Sequence, residues 1–312
     1  MARRVPLDLP EEAVQVIKED GGVILTGFAS ASQVEQVNRD VDEILTSRKN
    51  DEANQAPCCQ AFKASFNGRI YCGLLYGLSE TAREEWVLDP NLQSIVNHFL
   101  RTVNPPGVDR NSAPGRSTDA ILSQANSILT LPGGAGQALH RDDSIWQKVH
   151  PGQEATGYCL GSDLGLALLV PGVPTTRANG ATLFVPGSHL WADARTVTDD
   201  QVRAVEMQPG EAFLFLGSAL HGGGANSTRS PRLLHAIFFC RSWVRPEANE
   251  FAWWTEQEVE KWSVEAQRLA GYVTDKMLGI CDDGDPIDAL RRHRCRRGDS
   301  EGGVAAGPHL GD

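Results

Sequence analysis

The chain has 312 residues, 41% hydrophobic and 22% charged, with 31 glycines and 17 prolines, a make-up that excludes a disordered or collagen-like polymer and favours a turn-rich globular enzyme. Its formal net charge of −11 lacks the surplus of lysine and arginine that a phosphate backbone demands, which excludes a broad nucleic-acid surface. Seven cysteines without metal-ligand pairing, an opening MARRVPLDLP that lacks a secretory apolar run, and no stretch of membrane-spanning length predict a cytoplasmic protein with neither disulfide framework nor membrane anchor.

Residues 10–47 predict a helix, a short strand GVILTGF and a second helix SASQVEQVNRDVDEILTS. In the second helix Val34, Val37, Val41 and Leu45 recur at three- and four-residue steps, with Ser30 or Ser32 as its cap. Residues 102–118, TVNPPGVDRNSAPGRST, have the composition of a long loop. From there the texture is β: AILSQANSILTL, LGLALLV, ATLFV, EAFLFLG and RLLHAIFFCRSWV are short apolar runs separated by glycine and proline turns, the signature of a sandwich or barrel. Residues 255–273 predict a helix opened by a capping box from Thr255 to Glu258. Residues 1–283 therefore read as one domain with its β core at about 120–245, and 284–312, basic and then glycine-rich, as a disordered tail.

The chemistry concentrates in ALHRDDSIWQ, residues 138–147. Residues two apart on a strand share a face, so His140 and Asp142 are expected to project together and Asp143 to point away. A third ligand must come from elsewhere, and among His150, His189, His221 and His235 the strongest candidate is His221. It closes the strand EAFLFLGSAL and opens HGGGANS, whose glycines admit close approach. Two imidazoles and one carboxylate suit non-haem Fe(II), which keeps open positions for other ligands, although zinc accepts the same donors. Arg232, eleven residues on in the apolar strand PRLLHAIFFC, needs a carboxylate from a ligand or from the chain itself.

With these residues in place the sequence resembles the phytanoyl-CoA hydroxylase-like (PhyH) family of Fe(II)/2-oxoglutarate dioxygenases. QALHRDD is similar to its proximal metal segment, NGATLFVPGSHLW to its central turn, and ALHGGGANSTRSPR to its distal histidine and arginine. The finer texture resembles the branch that tailors fungal specialised metabolites. The resemblance implies a mainly β fold with flanking helices, a double-stranded β-helix or cupin-like jelly roll. It implies His140, Asp142 and His221 as Fe(II) ligands, and Arg232, Gln137, Thr182 and Tyr71 as contacts of 2-oxoglutarate, the Tyr71 position being exchangeable with Asn67 or Cys72. Fe(II), 2-oxoglutarate and O2, an apolar small-molecule substrate and a homodimer follow from it. So does oxidation of a C–H bond, as hydroxylation, desaturation, epoxidation or rearrangement. Asp142 stands where halogenases of this fold carry a small residue.

Two other readings remain open at this stage, a fatty acyl-CoA 2-hydroxylase-like enzyme and a non-catalytic jelly-roll partner subunit. The chain ends in HLGD instead of a peroxisomal tripeptide and keeps all three ligands and the arginine, which weighs against both.

Overall fold

The computed structural model describes residues 2–50, 68–103, 117–275, 278–280, 285–288 and 290. Most of the 102–118 loop, and 291–312 of the expected tail, lie outside the described residues. The chain divides after Ala248 into two compact units, a boundary inside the 1–283 span read from sequence as one domain.

In the first unit the strands are β1 (Arg4–Pro6), β2 (Gly22–Thr26), β3 (Arg69–Cys72), β4 (Thr102–Val103), β5 (Ser117–Thr118) and β6 (Ile121–Thr130). They continue with β7 (Gly165–Pro171), β8 (Thr182–Phe184), β9 (Arg203–Val205), β10 (Ala212–Leu216), β11 (His221–Gly223) and β12 (Arg232–Cys240). The larger sheet has the order β1-β2-β10-β7-β12-β6-β3 and the smaller one β11-β8-β9, while β4 and β5 pair at the base of the 102–118 loop. The edges of the two large sheets are not joined into a closed barrel. This is the mainly β architecture with flanking helices expected from the sequence.

Cross-strand partners share a face, so the register identifies the interior. Arg232, Leu234, Ala236 and Phe238 of β12 stand opposite Thr130, Ile128, Asn126 and Gln124 of β6. Arg69 and Tyr71 of β3 join that face by pairing with Thr130 and Ile128. The apolar part of the face meets the smaller sheet in one core. Phe184 of β8 packs on Phe213 and Phe215 at centroid separations of 5.0 and 6.3 Å, among Ala167, Leu169, Val205 and Ala236. Each fully buried phenylalanine contributes about 1.5–3 kcal/mol of transfer free energy as an upper bound.

The reverse face of the larger sheet is also buried, which is why β7 and β12 read as near-continuous apolar runs. Helix α2 (Ala31–Asn50) covers it, and its Asn38 meets Gly172 O and the His235 ring at 2.8 Å each. Ser30 caps α2 by accepting from Gln33 N at 3.2 Å, while the Gln33 side chain returns to Ser30 N at 2.7 Å. Helix α1 (Pro10–Asp20) ends at Gly21, whose φ of 83° supplies the left-handed cap.

In the second unit the helix expected over 255–273 is two short ones, Glu256–Val259 and Val264–Leu269. The Thr255–Glu258 capping box forms as expected, but Ser263 starts a second helix by accepting from Ala266 N at 3.1 Å. The Gln267 amide bonds the Val259 and Trp262 carbonyls across the break. A second cap inside the apolar periodicity outcompetes continuation of the first helix. Among the described residues no helix is long and apolar enough to cross a membrane.

Candidate metal centre

His140 and His221 are brought together by their own backbones. His140 N donates to His221 O at 2.8 Å and His221 N to His140 O at 3.0 Å, an isolated antiparallel bridge. Directly opposed residues place their side chains side by side, and the two rings lie 4.5 Å apart. The strand expected to carry both His140 and Asp142 does not continue, for Asp142–Trp146 is a 3-10 turn. Arg141, extended at φ −111°, anchors the turn through its guanidinium to the carbonyls of Ser188 and Trp191 at 3.0 Å each and to that of Ser218. Asp142 thus joins His140 by folding back, and strand alternation is not what aligns them. Likewise His221 begins β11 and does not end β10: the chain turns at Gly217–Leu220 to pass from the larger sheet to the smaller.

Asp142 Oδ1 lies 3.5 Å from His140 Nε2 and 3.3 Å from His221 Nε2. One donor atom from each of the three residues falls within 4.8 Å of the others. Burial alone would raise the Asp142 carboxyl, but His221 and His140 outweigh it and hold it well below the usual carboxylate range. Each imidazole turns Nδ1 to a carbonyl, His140 to Ala138 at 2.9 Å and His221 to Ala219 at 3.0 Å. That fixes the tautomer with Nε2 as the free lone pair facing the centre. The donor set fits a divalent transition metal, and so does the buried Asp142 Oδ2, which has no hydrogen-bond partner.

Arg232 is 2% exposed. Its Nη2 donates to Gly180 O at 2.6 Å, its Nε has no partner, and no carboxylate among the described residues pairs with it. Burial and the nearby Arg69 charge push its pKa down to about 10. Two guanidiniums on one buried face repel each other, an arrangement stabilised by an anion. Arg69 was not visible as a site residue in the sequence. Its only signal is the alternation R-x-Y in GRIYC, and its place beside Arg232 depends on β3 pairing with β6 across more than fifty residues.

Gln137 and Thr182 border the same region. Gly223 N donates to Gln137 Oε1 at 2.8 Å, so the amide oxygen is engaged and the NH2 group is presented. Thr182, 6% exposed, pairs with Gly223 across β8 and β11. A Cβ on Gly223 would lie 2.7 Å from Gln137 Oε1 and 2.8 Å from Arg69 Nη2: the glycine leaves the space those side chains fill. Tyr71 shares the face one alternation from Arg69, with its hydroxyl donating to Gln124 Oε1 at 2.5 Å. Asn67, an alternative to Tyr71, lies outside the described residues, and Cys72 is buried with its side chain on the opposite face.

The three other histidines weighed as the third ligand serve the fold. His235 lies on the reverse face of β12, bonded to Ser127 Oγ and Asn38 Oδ1 at 2.8 Å each, with burial pushing its pKa down to about 3. His189 faces Lys18 O at 3.1 Å. His150 is buried between Asp143 at 3.0 Å and Asp193 at 2.8 Å. Asp143 does point away from the metal centre, as expected.

The family profile described as phytanoyl-CoA dioxygenase (PhyH) matches residues 17–234, more than half of the chain. A protein named dioxygenase swnH1 from Arthroderma benhamiae is 31% identical, covering 92% of this chain and 91% of its own. Dioxygenase cnsJ from Penicillium expansum is 29% identical, covering 94% and 86%. A solved structure of EctD from S. alaskensis with 2-oxoglutarate and 5-hydroxyectoine has a TM-score of 0.50 at 17% identity, covering 77% of this chain and 79% of its own. It shows the likeness of fold.

Proposed function

Since the chain belongs to the phytanoyl-CoA dioxygenase family, we propose that His140, Asp142 and His221 hold one Fe(II) beside a 2-oxoglutarate gripped by Arg232, in an oxygenase that oxidises a C–H bond of a small specialised metabolite. When bound, Fe(II), 2-oxoglutarate and O2 supply the oxidising power, 2-oxoglutarate leaving as succinate and carbon dioxide. The chain itself binds and orients. The two Nε2 lone pairs and the Asp142 carboxylate would hold the ion and leave it positions for other ligands. Arg232, joined by Arg69, meets the far carboxylate of the cosubstrate, with the Gln137 amide, the Thr182 hydroxyl and the Tyr71 side chain around it. No residue is asked to act as general acid or base.

The observation that carries this reading is the presence of two buried atoms without a hydrogen-bond partner, Asp142 Oδ2 in the triad and Arg232 Nε on β12. One lacks a cation and the other an anion. The fungal relatives named dioxygenases support oxidation of a specialised metabolite.

Anaerobic titration of Fe(II) and 2-oxoglutarate into the protein tests it. A visible metal-to-ligand charge-transfer band is expected in the wild type and absent in His221→Ala. Arg232→Gln should retain the band but require about 10–150 times more 2-oxoglutarate, from ~1.5–3 kcal/mol for a charge-assisted contact. A wild type with no band, or equal cosubstrate affinity in Arg232→Gln, overturns the assignment.

A further inference from the structure

The interior face that carries Arg232 at one end carries a different set of polar groups at the other. Gln124 and Asn126 of β6 stand opposite Phe238 and Ala236. The Tyr71 hydroxyl donates to Gln124 Oε1 at 2.5 Å, and Asn126 Nδ2 reaches the same oxygen at 3.2 Å. With its oxygen engaged twice, the Gln124 amide turns its NH2 outward, where it donates to Glu247 Oε2 at 2.6 Å. Ser123 Oγ approaches Glu247 Oε1 at 3.3 Å. These contacts orient the carboxylate and leave lone pairs on both oxygens.

No cation among the described residues pairs with Glu247. Its carboxyl is pushed up to about 7, by burial first and then by the Asp142 charge, so it sits within electrostatic reach of the metal triad. Glu247 is nevertheless accessible to solvent, as a group at an open mouth is. A second acceptor lies on the same wall. Asn126 is 1% exposed, and its Oδ1 has no hydrogen-bond partner. A buried amide oxygen without a donor and a carboxylate without a counter-ion ask for the same thing, a ligand rich in N–H and positively charged.

We propose that Glu247 and Asn126 form a substrate subsite that takes a protonated aliphatic amine, so that the metabolite oxidised by this protein carries a basic nitrogen. The subsite rests on the oxygenase reading above and deepens it. Gln124 and Tyr71 are positioning residues here: they hold the carboxylate in place through the chain of donors and add no charge of their own. A neutral apolar substrate would leave the buried Asn126 Oδ1 without a donor and the Glu247 carboxylate without a counter-ion, whereas a cyclic ammonium ion satisfies both with its two N–H donors.

The test uses full-length protein loaded anaerobically with Fe(II) and 2-oxoglutarate, with piperidinium chloride as the probe and cyclohexanol as an uncharged donor of the same ring size. Dissociation constants come from ligand-detected NMR titrations. The wild type is expected to bind piperidinium about tenfold or more tightly than cyclohexanol, and Glu247→Gln, which keeps the shape and the Gln124 contact, to lose that preference by about tenfold. The charge-transfer band and thermal unfolding of Glu247→Gln establish that it is folded and loaded. If that variant does not fold, Asn126→Ala carries the test, with several-fold weaker piperidinium binding expected. Equal binding of the two probes, no binding of piperidinium by wild type, or an unchanged preference in the variant overturns the subsite. A wild type that lacks the band strikes the oxygenase reading, while a normal band without amine preference strikes the subsite alone.

Discussion

Adding one methyl group at Gly223 should damage cosubstrate binding while sparing the fold, and adding one at Gly224 should do the reverse. At Gly223 the new Cβ would meet Gln137 Oε1 at 2.7 Å and Arg69 Nη2 at 2.8 Å, both at the ends of long side chains. These can swing aside, so the stability cost falls near the low end of the overpacking range, about 1 kcal/mol. For a unit of 248 residues that is ~2–4 °C in Tm. Swinging aside, however, breaks the 2.8 Å contact from Gly223 N that orients Gln137 and withdraws Arg69 from its carbonyls. Loss of one charge-assisted contact at ~1.5–3 kcal/mol weakens 2-oxoglutarate by about 10–150-fold. At Gly224 the methyl would meet the Ala181 carbonyl oxygen at 2.5 Å, backbone that cannot step aside without moving β8. About 3 kcal/mol is expected there, ~6–12 °C in Tm. Differential scanning calorimetry of the apoproteins and anaerobic 2-oxoglutarate titrations separate the two effects. A Gly223→Ala protein with wild-type cosubstrate affinity, or one as destabilised as Gly224→Ala, refutes the reasoning.

Two further predictions concern buried histidines. His235 is held neutral by burial, with a pKa of about 3 against the ordinary 6.5; the unfolded chain therefore binds a proton that the folded one refuses. Its contribution is fully present above pH 6.5 and is lost as the pH falls from there toward 3. In His235→Gln the urea midpoint should accordingly fall less steeply between pH 6.5 and 5 than in wild type, and parallel slopes would count against the assignment. Asp143→Ala removes one of the two carboxylates that flank His150, a histidine whose pKa is raised: burial lowers it, and Asp143 first, then Asp193, more than restore it. Leaving that buried cation with Asp193 alone should cost about 1.5–3 kcal/mol, the value of one charge-assisted contact, read as a lower denaturation midpoint that recovers in part when the pH is raised and His150 releases its proton.

The residues of the candidate metal triad were legible because each carries a local mark. HRD and HGGG are short, unusual in apolar surroundings, and chemically specific. The arginine in PRLLHAIFFC was legible for the same reason: a guanidinium in an apolar strand demands an anion. What could not be read were residues whose role depends on register. Arg69 lies in a four-residue strand with no strong pattern, and only pairing with β6 turns it inward. Glu247 sits in a connecting segment after β12, where an acid is ordinary; its meaning comes from Gln124, more than a hundred residues earlier. The expectation that His140 and Asp142 align by strand alternation named two side chains that the structure does bring together, but through a different local geometry. The Arg141 anchor, which converts the strand end into a 3-10 turn, involves carbonyls of residues 188, 191 and 218.

The amino-acid order by itself determined the β texture, the capped helices and the three side chains of the candidate metal triad, because periodicity, capping and ligand chemistry act over a few neighbouring residues. Tertiary structure alone decided which face of each strand looks inward. It thereby decided that two arginines share one end of the interior and that acceptors line the other, since the side-chain period of two gives a strand no inside until a second sheet covers it.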